Sequence, residues 1–315
     1  MPRHPAPVPQ APHRADRRYW LRRIAALDPE ADHQEIYRIS AGHEFPWDYT
    51  RSLELALFKT YCVPSISALL DATGEFAVRA QKRYDDTVLL MAEIAAHGYD
   101  SPRGRESLRS INRIHGRFAI SDDDMRYVLS TFVYEPVDWI DRYGWRRLTR
   151  HERLAAFHYY SEVGRRMGIR DIPPTFDAFA AFKAAYEREH VRFAESNARV
   201  GGATVDLFAS WFPAPVRPLA GLGVRALLDD RSREAFGFAP APAWAVRAVQ
   251  RALVARGRLE TQLPPRRTSR LAADPGNRTY PGYPQGYAVA GLGAEPPAAD
   301  IDPVWLRRKA AAGTH

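Results

Sequence analysis

Residues 83–87 read RYDDT and residues 111–118 read INRIHGRF. Together they offer a guanidinium (Arg83), a carboxyl (Asp86), an alcohol (Thr87) and an imidazole (His115). A guanidinium clamps carboxylates or phosphates, and an alcohol both gives and accepts a hydrogen bond. A neutral imidazole can bind a metal or move a proton. Whether these groups act together depends on the elements that carry them.

The segment ending in His115 reads as a helix from about Pro102 to His115. At about 100° per residue, Leu108, Ile111, His115 and Phe118 share an arc of about 80°, and Arg105, Arg109, Arg113 and Arg117 lie on the other side. His115 therefore belongs to the buried stripe. The preceding stretch, TGEFAVRAQKRYDDTVLLMAEIAAH, reads as one helix from Thr73 to His97, stopped by Gly98. A connection this short favours an antiparallel hairpin. His115 then stands level with Tyr84, opposite RYDDT. Arg83 and Thr87, four apart, share a face beside Asp86. Two plainer readings stay open: a core histidine bonded to a carbonyl, and a surface pair of Arg83 with Asp85 or Asp86.

Helical patterning continues through most of the chain. Ser121 with Asp124 resembles a capping box with Asp in place of Glu, and Thr149 with Glu152 makes a fuller one. Thr175 can cap the helix that follows, and further helices fit 196–211, 216–229 and 241–256. No alternating strands, glycine-rich phosphate loop or GxSxG elbow occurs. The expectation is an all-α fold: one domain of roughly ten helices over 19–259, a disordered start over 1–18, and a Pro/Gly-rich extended tail over 260–315. Tyr280, Tyr283 and Tyr287 give that tail side chains with which to dock on the domain.

Composition narrows the function classes. The net charge of +8 comes almost wholly from arginine, since Lys59, Lys82, Lys183 and Lys309 are the only lysines. These arginines alternate with acids and apolar residues and form no basic block, so no nucleic-acid role is expected. Cys62 is the sole cysteine, which excludes an intrachain disulfide, a cysteine-rich metal site and a CxxCH haem attachment. No apolar run of signal-peptide or membrane-spanning length occurs, so a cytoplasmic protein is the simplest reading, with peripheral membrane contact open.

The order of these features resembles the family of latex-clearing proteins (rubber oxygenases) and MpaB-type oxygenases. That family's helical domain has an arginine and a threonine four apart, followed by a histidine some tens of residues later, which here look like Arg83, Thr87 and His115. The stretch from INRIHGRF through SDDDMRYVLSTFVYEPVDWIDRYGWRRLT to YYSEVGRRMGI is similar to the MpaB-type branch, as is TYPGYPQGY in the tail. The resemblance implies that His115 is the axial ligand of haem b iron, with O2 as co-substrate. Arg83 would then hold a propionate or polarise the distal side, and Thr87 would stand near oxygen. The implied reaction is oxidation or oxidative cleavage of a carbon–carbon double bond in an apolar, isoprenoid-type substrate; Phe132, Tyr134, Trp139, Phe157 and Tyr160 are candidates to line its cavity, most of them expected to be plain core instead. Where the rubber oxygenases carry a lysine before the threonine, this chain has Asp86, which pairs with Arg83 or shuttles protons instead.

Two other readings compete. Glu30 with His33 and Glu187 with His190 have the Glu-x-x-His spacing of di-iron carboxylate bundles, with Glu93 and Glu162 as bridging candidates. A non-enzymatic basic helical binding module is the third.

Overall fold

The structure is a computed structural model that describes residues 13, 15–271 and 282–293; the expected disordered start falls almost wholly outside these residues, as does Tyr280. Among the described residues the fold is all-α with no strand. Two short helices, α1 (Tyr19–Ala25) and α2 (His33–Ile39), lead through a π turn at Ser40–Glu44 into α3 (Pro46–Thr60). Next come α4 (Pro64–Ala72), α5 (Glu75–Val78), α6 (Ala80–His97) and α7 (Pro102–His115). The long α8 (Asp122–Tyr143) and α9 (Arg150–Arg166) are followed by α10 (Phe176–His190) and α11 (Glu195–Ser210). The chain then forms α12 (Arg217–Arg225), α13 (Asp230–Ala235) and α14 (Ala243–Glu260).

The helix α8 is the central strut: α3, α9, α10 and α14 all pack on it. Its start is set by Ser121, whose side chain accepts from the Asp124 amide at 3.0 Å. Asp122, Asp123 and Asp124 place negative charge in its first turn, where the helix dipole favours it. The reciprocal half of a capping box is absent there, because the Asp124 carboxylate binds other residues. At α9 the box is complete, with Glu152 Oε2 accepting from the Thr149 amide at 2.8 Å. Thr175 caps α10 through the Ala178 amide at 3.1 Å.

The expected continuous helix over 73–97 is broken. Gly74 takes φ +68 and ends the α4 turn, and Arg79 (φ −138, ψ 43) separates the one-turn α5 from α6. The break buries Phe76 edge-on to Tyr61, with ring centroids 5.2 Å apart, and this packing overrides local helix propensity. The helix expected at 216–229 is shorter, ending at Arg225 as α12, and Asp229 caps the separate α13 that follows. The turn from α6 into α7 is as tight as expected. Gly98 has φ +82, and a Cβ on Gly104 would stand 2.0 Å from the Gly98 carbonyl oxygen, so glycine is required at both positions. Ser101 and Pro102 then start α7.

A large core cluster runs from Tyr37 and Phe45 through Leu89, Ile111 and Val133 to Tyr160 and Phe179. A second cluster gathers Phe58, Tyr61, Phe76, Val200 and Phe236 around buried Cys62, whose thiol is pushed up by burial and stays protonated. Part of the tail lies on the domain. Val289 and Leu292 join the large core, Gly282 N donates to Asp85 at 2.8 Å, and Tyr287 donates to Glu93 at 2.7 Å. Among the described residues no single helix is long and apolar enough to cross a membrane; α3 and α4 pass that test only as a pair bent by 95°.

Candidate active site

The hairpin of α6 and α7 packs as the sequence suggests and lines one side of a cavity of about 540 Å³. That volume falls within the roughly 300–1,000 Å³ of small-molecule sites. Apolar side chains such as Leu57, Leu69, Ile111, Phe118, Met125 and Phe132 dominate its lining. Arg83, Asp86, Thr87 and His115 all border it. Four residues singled out by type and spacing thus meet at one space.

His115 lies on the expected face of α7. Leu108 and Ile111 beside it are buried, while Arg105, Arg109 and Arg113 are exposed. The ring is half-buried because one side meets the cavity. Its Nδ1 is buried without a hydrogen-bond partner, so the acceptor that would fix the tautomer is not supplied by the described residues. Burial, and after it the charge of Arg83, pushes the imidazole down to about 4. The ring is therefore neutral at neutral pH, with a lone pair free on one nitrogen.

The Arg83 guanidinium donates to Thr87 Oγ1, and the same hydroxyl donates to the Arg83 carbonyl at 3.1 Å. No carboxylate pairs with Arg83 among the described residues. The expected Arg83–Asp86 pair does not form, because a nearer cation takes the acid. Lys82 Nζ binds Asp86 Oδ2 at 2.9 Å and the Gly293 carbonyl at 2.9 Å, and the Tyr283 hydroxyl donates to Asp86 Oδ1. Asp85 accepts from Gln81 at 2.8 Å. The tail thus closes the cavity rim beside Asp86, with Gly293 in the wall.

Of the five aromatics proposed for the cavity, only Phe132 borders it. The others are core. Tyr134 donates to the Phe176 carbonyl, Trp139 to Asp48 at 3.1 Å, Tyr160 shares a hydrogen bond with Tyr37 at 2.7 Å, and Phe157 is buried against Phe179. The di-iron candidates are dispersed. His33 bonds Tyr99 at 2.7 Å, Glu187 takes Lys183 at 2.7 Å, Glu93 takes Arg103 at 2.5 Å, and Glu162 holds Arg166 at 2.5 Å. Among the described residues no three His, Cys, Asp or Glu side chains cluster as metal ligands.

Residues 52–258 match the model of a family described as ER-bound oxygenase mpaB/B'/Rubber oxygenase, catalytic domain. The chain belongs to this oxygenase family. An ER-bound oxygenase mpaB' of Penicillium brevicompactum is 28% identical over 228 residues, covering 66% of this chain and 54% of that protein. An ER-bound oxygenase mpaB of Penicillium roqueforti (strain FM164) is 34% identical over 148 residues, covering 45% of this chain and 50% of that protein. The chain thus spans about half the length of these curated relatives. The match to the oxygenase catalytic domain takes in the whole α6–α7 hairpin and most of the cavity wall.

Among the cavity residues not assigned to the site from sequence are Ser65, Asp124 and Tyr186. Asp124 read only as a helix-start residue. Nothing local marks the other two, since α4, α8 and α10 bring them together only in the fold.

Proposed function

We propose that this chain is a haem b-dependent oxygenase that oxidises or cleaves a carbon–carbon double bond in an apolar, isoprenoid-type substrate. One observation carries the reading: a neutral imidazole and a guanidinium border the same apolar cavity, and among the described residues the first has no hydrogen bond and the second no carboxylate partner. These residues fit the group. An uncharged imidazole has the lone pair an axial ligand needs, and a free guanidinium suits a propionate. His115 would hold the iron and Arg83 a propionate.

When bound, haem b supplies the activation of O2, chemistry that no amino-acid side chain provides. The chain's own contribution is positioning. Leu57, Leu69, Ile111 and Phe118 present an apolar wall that excludes water and aligns an alkene. Thr87 anchors the Arg83 guanidinium one helical turn away. Asp86, braced by Lys82 and Tyr283, keeps a carboxylate at the wall where a proton can be passed.

Haem-reconstituted protein supplied with an unsaturated isoprenoid should consume oxygen and release carbonyl products, and its saturated counterpart should give neither. Equal oxygen uptake with both compounds, or no uptake with any alkene, overturns the reading.

A further inference from the structure

A separate wall of the cavity, built by α4, α8 and α10, also carries polar groups. Asp124 borders the cavity there and is only 9% exposed. Its Oδ1 accepts from Ser65 Oγ at 3.0 Å and from the Tyr186 hydroxyl. Burial pushes the Tyr186 phenol up, so it stays protonated and remains a donor. Both neighbouring donors are thus committed to one oxygen. No hydrogen bond reaches Asp124 Oδ2 among the described residues.

Helix capping does not explain this carboxylate. Ser121 caps α8 through the Asp124 backbone amide, and Asp122 and Asp123 already supply acids to the first turn. The lining on these elements mixes apolar side chains (Ile66, Leu69, Met125, Val128) with the polar Ser121, Asp123 and His190. An acceptor oxygen with no protein donor at a cavity wall is a place where a ligand donor can bind.

We propose that the substrate is an amphipathic alcohol, an apolar chain with a hydroxyl at one end, and that Asp124 Oδ2 accepts from this hydroxyl and selects for it. A hydroxyl has one proton to place, which matches one open acceptor atom. An ammonium has three, and burying it here would leave two unmet. The inference rests on the oxygenase reading for the location of the substrate, and it names the class of molecule that this cavity takes.

Calorimetric titration of the purified protein with geraniol, its methyl ether and geranylamine tests it. Geraniol should bind about tenfold more tightly than the ether, as one hydrogen bond to a charged group predicts. Asp124→Ala should bring the two to equal affinity, while Tyr186→Phe, which leaves Oδ2 untouched and keeps the ring stacked on Tyr127, should retain the preference. Equal affinities in the unaltered protein overturn the proposal, as does a preference that survives in folded Asp124→Ala or tighter binding of the amine. Because binding is read without turnover, equal affinities beside alkene-dependent oxygen uptake would sink this inference alone. A hydroxyl preference without oxygen uptake would sink only the oxygenase reading.

Discussion

Two arginines in this molecule sit among buried groups and are treated in opposite ways. Arg146 is fully engaged: it binds Glu44 Oε2 at 3.0 and 2.7 Å, Glu152 at 2.7 and 2.8 Å, and the Arg147 carbonyl at 3.0 Å. Its guanidinium also lies 4.7 Å from the Phe45 ring centroid. Arg83 has a threonine hydroxyl and, among the described residues, no carboxylate. The first site ties the π turn to the start of α9 and has no capacity left for a ligand. The second borders a cavity and keeps its charge uncommitted. Buried polar groups normally find partners, and the two groups left open here, His115 and Arg83, border a cavity of small-molecule size.

The contrast predicts opposite consequences for the same kind of substitution. Arg146→Met strips a cation from two buried carboxylates and should cost about 3–5 kcal/mol in urea unfolding. A loss below about 1 kcal/mol would break the comparison. Next in size is a pH effect at His115. Its folded value of about 4 lies below the ordinary 6.5, so as pH falls from 6.5 to 4 the unfolded chain takes up a proton that the folded chain refuses. Stability should therefore be full above pH 6.5 and decline through that window by roughly 2 kcal/mol, allowing for access of solvent to the cavity. His115→Gln should flatten that part of the profile, and an unchanged slope would show that the ring is not held neutral. The smallest stability effect belongs to Arg83→Met, below about 1 kcal/mol, because no ion pair is broken. That variant should still weaken haem binding by about tenfold or more, if the guanidinium meets a propionate.

Much of the site was legible because it depends on local rules. Helical spacing put His115 on the buried face of α7, and Gly98 and Pro102 marked a short turn that folds it back onto Arg83 and Thr87. The rest depends on contacts between distant segments. No spacing rule tells that Lys82 outcompetes Arg83 for Asp86, since both lie within a turn of it and the tail's Gly293 carbonyl helps to hold the lysine. The break at Arg79 follows from burying Phe76 against Tyr61. Glu152 read as a capping residue, which it is, but the Arg146 that it binds also takes Glu44 from the distant π turn, a link that only tertiary packing makes. Tyr134, Trp139 and Tyr160 have the composition of a cavity lining and the position of core, a distinction that residue type does not carry.

The central claim is that His115 is the group on which the cofactor is held, and haem titration followed by Soret absorbance addresses it most directly. The unaltered protein should take up one equivalent with a shifted, intensified Soret band, and folded His115→Ala should lose that band or bind with at least tenfold lower affinity. An identical titration and spectrum in the two proteins would contradict the account.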